Sequence, residues 1–258
     1  MENKTVSFDF NGKNVLVTGA SRGIGKAIAR AFAESGATVY ITARRDSING
    51  VAKELNSAGF CGKVIPLTAD LSSPSERARL VTECLARCDG QLDILVNNAG
   101  MQIRHPAEEF PLDDFERVLN VNLNAVFDLS VRIGRTMVER KYGKIVNLAS
   151  MLSYFGGITV PAYAASKGGV AQLTKALSND WAKYGVNVNA VAPGYMDTEM
   201  NEAIIHDPKR YQEIVSRIPA GYFGAPEAIA GTVLFLCSDA AAYISGAVIP
   251  VDGGYLAR

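Results

Sequence analysis

The chain has 258 residues, of which 48% are hydrophobic and 20% charged, a composition that is typical of a folded globular protein and excludes a disordered one. Its 26 Lys and Arg residues equal its 26 Asp and Glu residues, which argues against a basic surface for nucleic acid or an anionic membrane. Polar residues interrupt the N-terminal segment MENKTVSFDFNGKNV, and no apolar run is long enough to cross a bilayer, so we expect a cytoplasmic protein without a signal peptide.

Seven short apolar runs alternate with longer segments that have helical periodicity. The runs are NVLVT (14–18), TVYIT (38–42), KVIPLT (63–68), LDILVN (92–97), KIVNLA (144–149), NVNAVA (187–192) and AVIPV (247–251). Strands that are apolar throughout are typical of parallel sheets with both faces buried. Because strand and helix alternate to the end without a linker or repeat, we expect one doubly wound, Rossmann-like α/β domain over residues 1–258, with seven parallel strands and helices on both faces.

The first predicted strand runs directly into the turn TGASRGIG (18–25) and then into a helix. Glycine at 19, 23 and 25 would let the backbone approach a diphosphate, and the following helix N-terminus would offer free N–H groups. A tight strand–helix turn without a ligand would also use glycines, so the turn indicates a nucleotide site without proving one.

The end of the second strand, at Ala43, lacks the acidic residue that usually binds the adenosine ribose of NAD. Arg44 and Arg45 follow it, and Arg22 in the glycine turn could reach the same place. Guanidinium groups without a carboxylate favour the 2′-phosphate of NADP(H), with NAD(H) as the alternative if these arginines are only solvated. Asp46 lies beyond the strand and is interpreted as the N-cap of the next helix.

Metal or redox chemistry finds little support in the sequence. Cys84 and Cys88 are four residues apart on a predicted helix and share one face of it. The only histidines, His105 and His206, are distant in sequence, so we expect buried cysteines and no bound metal.

The segment YAASK (163–167) places Tyr163 and Lys167 four residues apart, on one face of a predicted helix. A free tyrosine has a pKa of about 10 and is a poor acid–base group at neutral pH. We expect the nearby ammonium group to lower the pKa of the phenol and burial of this small-residue helix to strengthen the effect. The pair alone occurs often by chance.

Residues 194–225 form the one long interval between the late predicted helices, and they follow a strand end. Ligands of open α/β sheets bind at the carboxyl ends of strands, so we expect this segment, with helix over about 199–217, to be a substrate lid. Its candidates for substrate contact, each with packing as the alternative role, are Tyr195, Met200, Arg210 and Tyr222.

Four motifs occur in one order: TGxxxGxG after the first strand, NNAG (97–100) after the fourth, a serine after the fifth, and YxxxK in the next helix. This combination resembles the short-chain dehydrogenase/reductase family over nearly the whole chain. The resemblance implies an NAD(P)(H)-dependent enzyme that oxidises a secondary alcohol or reduces a ketone. It also implies a homotetramer in which the helix after PLDDF (111–115) pairs with the YAASK helix, while a dimer remains open.

The resemblance implies four catalytic residues. Tyr163 would donate and accept the proton, and Lys167 would lower the pKa of that tyrosine and hold the nicotinamide ribose. Ser150, thirteen positions before Tyr163, would hydrogen-bond the substrate oxygen, and Asn122 would anchor a water in the proton relay.

The resemblance also implies a binding surface for the whole dinucleotide, with Asp70 at the adenine and the PGYMDT element (193–198) at the carboxamide and diphosphate. The expected cofactor-binding residues are Gly19, Ser21, Arg22, Gly23, Ile24, Gly25, Arg44, Asp70, Leu71, Asn98, Ala99, Gly100, Tyr163, Lys167, Pro193, Gly194, Met196 and Thr198.

Three neighbouring residues have other interpretations. Ser153 has the wrong spacing to Tyr163 and is expected to be structural or substrate-facing. Asn120 points away from Asn122 on a helix, and Asn147 lies inside a strand as a hydrogen-bonded core group.

Several stretches resemble the family members that act on keto-gluconates and deoxy-keto-gluconates: NNAGMQIRHPAEEF, NLASMLSYFGGITVPAYAASKGGV, RIPAGYFG and VDGGYLAR. The expected substrate residues are therefore Arg104, Ser150 and Tyr195, with Arg104 clamping a carboxylate or, alternatively, pairing with Glu108. Many of these members use NAD, whereas the arginines here favour NADP(H). A general carbonyl or acyl-thioester reductase is the second hypothesis, and a non-catalytic nucleotide sensor on the same fold is the third.

Overall fold

The computed structural model describes residues 8–258 except for the side chain of Met200, so the expectations for the first seven residues and for that side chain lie outside it. Within this part of the chain the strands are β1 (Asn14–Thr18), β2 (Thr38–Ala43), β3 (Lys63–Thr68), β4 (Ile94–Asn97), β5 (Gly143–Leu148), β6 (Val186–Pro193) and β7 (Val248–Val251). They form one parallel sheet in the order β3-β2-β1-β4-β5-β6-β7, which confirms the seven predicted strands.

The α-helices of the same residues are α1 (Gly23–Glu34), α2 (Ser47–Ser57), α3 (Pro74–Arg87), α4 (Leu112–Leu119), α5 (Ala125–Arg140), α6 (Pro161–Trp181), α7 (Glu202–Ile205), α8 (Pro208–Val215) and α9 (Pro226–Cys237). None of these helices is long and apolar enough to cross a membrane. The YAASK segment lies in the first turns of α6, as predicted.

The sheet is covered on both faces because successive side chains of each strand point to opposite sides. Val15 and Val17 of β1 pack in one core with α1, α2 and α9, whereas Leu16 packs in a second core with α3 and α5. This arrangement confirms the predicted doubly wound fold. The order reverses at β1, which pairs with both β2 and β4, and so a crevice opens at the carboxyl ends of these strands.

A five-residue π-helical turn, Asn120–Asn124, joins α4 to α5 without interrupting the helical path. The N–H of Ala125 donates to the carbonyl of Asn120, five residues back. Such turns widen a helix locally and often occur at functional sites. This turn directs the Asn122 side chain into the protein, where it is fully buried.

Residues 194–225 run over the carboxyl end of the sheet. The predicted helical stretch over about 199–217 is present, and it is divided into a 3₁₀ turn and the two short helices α7 and α8. Pro208, which cannot donate a backbone hydrogen bond, starts α8, and Asp207 caps it by accepting from the N–H of Arg210 at 3.1 Å. Ile204 and Phe223 anchor the segment in an apolar cluster with Tyr255 near the C-terminus.

The interpretation of the polar and sulfur-containing core residues is largely confirmed. Cys84 and Cys88 are buried free thiols. Asn147 is fully buried and donates to Thr174 Oγ1 at 3.0 Å. Asp46 is the N-cap residue of α2, but its carboxylate accepts from Thr68 Oγ1 rather than from a backbone N–H of the helix.

Candidate active site

A cleft of about 480 Å³ lies at the carboxyl ends of the strands. Every residue predicted from the sequence to bind the dinucleotide lines it, from the glycine turn to Thr198. Ten further lining residues were not singled out as cofactor contacts from the sequence: Thr42, Ala43, Ala69, Ser72, Met101, Val121, Leu148, Ala149, Glu199 and Asn201. Most of these have small or apolar side chains, for which no sequence motif exists.

The glycine turn leaves no room for side chains. Gly19 has a φ of +65°, and a Cβ built on it would lie 2.7 Å from the Cα of Ala99. A Cβ on Gly25 would collide with the Gly19 carbonyl and the Asn98 amide group. Asn98 fixes the turn by donating from Nδ2 to the carbonyl oxygens of Thr18 at 2.9 Å and Gly19 at 3.0 Å. The backbone is therefore exposed to the cleft along a rigid edge.

The N-terminus of α1 meets the cleft directly behind this turn. Its N-cap residue, Arg22, makes no side-chain capping bond, so the first N–H groups of the helix are free to meet a phosphate. The guanidinium of Arg22 forms an exposed ion pair with Glu199, from the 3₁₀ turn after β6. This pair spans the cleft between the glycine turn and the segment 194–225.

A second hollow opens beside the cleft at the end of β2. Three arginines meet there, two of them consecutive after Ala43 and the third from the glycine turn, and Glu199 is the acidic residue among its lining side chains. The lining residues are Ser21, Arg22, Ala43, Arg44, Arg45, Ser47 and Glu199. The sequence predicted this grouping of Arg22 with Arg44, and it did not single out Ser47 or Glu199.

Two polar groups near the hollow bear on what the cleft can hold. The hydroxyl of Thr42 is buried without a hydrogen-bond partner among the described residues, at the end of β2. Asp70 accepts from the N–H and the hydroxyl of Ser72 at 2.9 and 2.8 Å, and the backbone hydrogen bond is the main cause that lowers the pKa of Asp70. The bare glycine backbone, the free helix N-terminus and this unpartnered hydroxyl together fit an NADP-type dinucleotide.

At the other end of the cleft, Tyr163 and Lys167 project from α6 towards the end of β5. The ammonium nitrogen of Lys167 donates to the carbonyl oxygen of Leu148 at 2.6 Å and lies 5.7 Å from the centre of the Tyr163 ring. Burial lowers the pKa of Lys167 to about 8. Burial also raises the pKa of Tyr163, and a hydrogen bond with Ser150 partly opposes that rise.

The prediction that Lys167 lowers the pKa of Tyr163 is therefore wrong. Desolvation penalises the phenolate more than the neighbouring groups stabilise it. The ammonium group of Lys167 is directed to a backbone carbonyl rather than to the phenol oxygen.

Ser150 lies at the start of a 3₁₀ turn, Met151–Ser153, immediately after β5. Its Oγ accepts from the N–H of Leu152 at 3.1 Å, which leaves the hydroxyl proton free to donate elsewhere. The Oγ of Ser153 accepts from the N–H of Ser150 at 3.3 Å and donates to the carbonyl of Lys167 at 2.7 Å. These bonds agree with the structural interpretation of Ser153.

The side-chain amide group of Asn122 makes three hydrogen bonds. Its Oδ1 accepts from the N–H of Met101 at 2.8 Å, and its Nδ2 donates to the Met101 carbonyl at 2.9 Å and to Ser166 Oγ at 3.1 Å. The side chain thus fastens the π-helical turn to the loop after β4. Asn120 points elsewhere, as predicted, and donates to the carbonyl of Ser72.

Arg104 lies on the loop after β4, and its Nη1 donates to Thr159 Oγ1 at 3.4 Å. The alternative ion pair with Glu108 is wrong, because no carboxylate of the described residues lies within 4.0 Å of the Arg104 guanidinium. Burial and, to a smaller extent, the Arg210 guanidinium lower the pKa of Arg104. Tyr195, which is stacked on Phe223, also lies near the Arg104 guanidinium.

A family model described as enoyl-(acyl carrier protein) reductase matches residues 19–256. A 2-dehydro-3-deoxy-D-gluconate 5-dehydrogenase of Bacillus subtilis (strain 168) is 44% identical to the chain, over 98% of both proteins. The enzyme of that name from Pseudoalteromonas atlantica is 46% identical, over 97% of this chain and 98% of its own. The crystal structure of a gluconate 5-dehydrogenase from Burkholderia cenocepacia, in complex with NADP and tartrate, has 37% identity and a TM-score of 0.91, over 97% of this chain and 98% of its own.

Proposed function

The chain belongs to the short-chain dehydrogenase/reductase family, and we propose that it is an NADP(H)-dependent oxidoreductase that interconverts a keto sugar acid of the gluconate type and its secondary alcohol. The observation that carries the proposal is the layout of one cleft. An arginine-lined hollow lies at its adenosine end, and Tyr163 and Lys167 lie at the other. Arg104, whose guanidinium has no carboxylate partner among the described residues, lies on the loop after β4, the strand that pairs with β5.

The cofactor preference rests on the hollow at the end of β2. Arg22, Arg44 and Arg45 can hold a 2′-phosphate through charge-assisted hydrogen bonds, and Ala43 stands where an NAD site usually has an acid. NAD(H) has no phosphate there, so Arg44 and Arg45 would have no phosphate to bind, while Arg22 would keep its ion pair with Glu199. The relative from Burkholderia cenocepacia, crystallised with NADP, supports this preference. When bound, the cofactor supplies the hydride or accepts it.

In the proposed mechanism, Ser150 and Tyr163 donate hydrogen bonds to the ketone oxygen, where negative charge develops during reduction. Since burial keeps the pKa of Tyr163 high, the phenol carries its proton at neutral pH and can transfer it to that oxygen. The ammonium nitrogen of Lys167 lies 5.7 Å from the centre of the Tyr163 ring and, through its bond to the Leu148 carbonyl, holds this part of α6 against the end of β5. We assign to Asn122 the anchoring of the route by which the proton is replaced.

The substrate class rests on Arg104. A partly buried guanidinium without an acidic partner among the described residues favours binding of a carboxylate, and a gluconate-type molecule carries one at the end of its hydroxylated chain. Tyr195 and the lid segment 194–225 would cover the substrate from the other side. The names of the relatives, and tartrate in one of their structures, support a hydroxy acid.

We also propose that the protein is a cytoplasmic homotetramer. Phe127 on α5 is half exposed and Ala165 on α6 is exposed, which favours burial of these helices against a second copy. All four cysteines are free, as is usual in a reducing compartment.

A spectrophotometric assay tests the proposal. The pure protein is mixed with NADPH or NADH and with a panel of keto sugar acids, simple ketones and an acyl thioester. We expect consumption of NADPH with a keto sugar acid and much less with the other compounds. Turnover with NADH alone would refute the cofactor assignment, and turnover restricted to simple ketones or to the thioester would refute the substrate class.

A further inference from the structure

Two serine hydroxyls, neither of them among the catalytic residues assigned above, connect the catalytic helix to those residues. The Oγ of Ser166 donates to the carbonyl of Tyr163 at 2.7 Å and accepts from Asn122. The Oγ of Ser153 donates to the carbonyl of Lys167 at 2.7 Å and accepts from the N–H of Ser150. Each hydroxyl thus uses its single proton on a carbonyl of α6 and a lone pair on another part of the site.

The Ser153 bond differs in position from the other bonds of α6. The Lys167 carbonyl lies within α6 next to Gly168, which has no side chain, and the hydroxyl of Ser153 from another element reaches it. That side chain comes from the 3₁₀ turn that begins at Ser150. A displacement of α6 along its axis would therefore change the position of Ser150 directly.

Lys167 is consequently tied at two points to one short segment. Its ammonium group donates to Leu148 at the end of β5, and its carbonyl accepts from Ser153, five residues later. Ser150 lies between these two points. The two bonds fix the segment 148–153 against α6, and Ser150 thereby stays beside Tyr163.

We propose that Ser153 is a positioning residue for the reaction: its hydroxyl joins the backbone of Ser150 to the carbonyl of Lys167 and so sets the distance between the Ser150 hydroxyl and the Tyr163 phenol. The inference rests on the proposed ketone–alcohol chemistry and is independent of which ketone is the substrate. Small displacements of reacting groups have large kinetic effects. Loss of the Ser153 hydroxyl is expected to leave α6 itself folded, because the Lys167 carbonyl remains within the helix.

The test is a kinetic comparison of Ser153→Ala with the wild-type enzyme, using whichever ketone of the panel the wild type reduces best. We expect kcat to fall about tenfold or more. The KM for NADPH should be nearly unchanged, because Ser153 lines neither the cleft nor the arginine-lined hollow. In alcohol oxidation, which requires the phenolate, we expect the midpoint of the pH–rate profile to move upwards by about 0.5 pH unit. The sign follows because the Ser150 bond lowers the pKa of Tyr163 and the substitution loosens it.

Two further variants separate positioning from general destabilisation. Ser153→Thr keeps the hydroxyl and is expected to restore most of kcat. Ser57→Ala removes a hydroxyl that is bonded to the Lys53 carbonyl of α2 at 2.8 Å, far from the cleft, and is expected to change neither kcat nor the profile. If Ser153→Ala does not fold, Ser153→Cys, which keeps the size and weakens the donor, takes its place with the same expectation.

Unchanged kcat and an unchanged pH profile in Ser153→Ala would overturn the proposal. So would equal losses in Ser153→Ala and Ser153→Thr, since the hydroxyl would then not be the active feature. An equal loss in Ser57→Ala would assign the effect to stability and overturn it as well. A wrong sugar-acid assignment would leave all three comparisons intact.

Discussion

The ammonium nitrogen of Lys167 lies 5.7 Å from the centre of the Tyr163 ring. Lys167 is buried and Tyr163 is partly buried, and burial moves each pKa so as to favour the neutral form: upwards for the phenol, and downwards to about 8 for the ammonium group. At neutral pH the pair therefore consists of a protonated phenol and a protonated amine. This is the state that ketone reduction requires, because the phenol must give up a proton.

Replacing Tyr163 by phenylalanine removes the proposed proton donor and keeps the ring that lines the cleft. We expect kcat for ketone reduction to fall about a thousandfold or more, since general acid catalysis contributes factors of this size. NADPH affinity, measured by fluorescence titration, should change little. Tyr243→Phe, which alters a fully exposed tyrosine, is the matched control. Retained turnover in Tyr163→Phe would contradict the proposed mechanism.

Arg44→Ala tests the arginine-lined hollow. The loss of charge-assisted hydrogen bonds to a 2′-phosphate should raise the KM for NADPH about 10- to 100-fold, because such bonds are roughly twice as strong as neutral ones. The KM for NADH should stay within about twofold, since NADH has no phosphate at this point. The ratio of the two KM values is the measurement, and Arg87→Ala, an exposed arginine of α3, is the control. Equal losses with both cofactors would assign Arg44 to folding rather than to recognition.

Arg104→Gln tests the carboxylate contact. The KM for a keto sugar acid should rise about 10- to 100-fold, while the parameters for a neutral ketone stay the same, because only the acid offers a charge to the guanidinium group. Arg117→Gln is a suitable control, since Arg117 is exposed and already paired with Asp114. If the neutral ketone lost as much activity as the acid, the side chain would be needed for the shape of the loop and not for the charge.

The parts of the molecule that follow periodicity or fixed motifs were predictable from the sequence. The seven strands obey the apolar pattern, and the glycine turn, Asn98 and Tyr163 occupy the positions that their motifs imply. Pro208 could have been recognised as a break in the predicted helix over 199–217, because proline cannot continue a helix from the preceding turn.

Other features depend on distances that no motif contains. Glu199 forms its ion pair with Arg22 although the two residues are far apart in sequence. The Thr42 hydroxyl is buried without a hydrogen-bond partner among the described residues because of how other segments pack around it. The pKa of Tyr163 was predicted in the wrong direction because a spacing of four residues gives proximity to Lys167 but not the extent of burial. Desolvation depends on the whole surrounding fold, whereas the helical spacing is local.

Lys167 destabilises the folded protein at neutral pH, because its ammonium group is charged while buried. The folded-state pKa, about 8, lies below the ordinary value of 10.5. Between these two values the unfolded chain binds a proton that the folded protein does not, so stability rises with pH through this window. Below pH 8 the full penalty is present, and its upper bound is about 3 kcal/mol.

Lys167→Met should therefore abolish turnover and yet raise the melting temperature at pH 7 by a few °C. The corresponding gain in the free energy of unfolding is about 1–2 kcal/mol, once the lost hydrogen bond to the Leu148 carbonyl is subtracted. The advantage over the wild type should shrink as the pH is raised from 7 to 9.5, because the wild-type ammonium group then loses its proton. Calorimetry at the two pH values measures this gap, and Lys183→Met, at an exposed position, should show no such dependence. A variant that melts below the wild type at pH 7 and gains on it at pH 9.5 would show that the buried cation stabilises the fold.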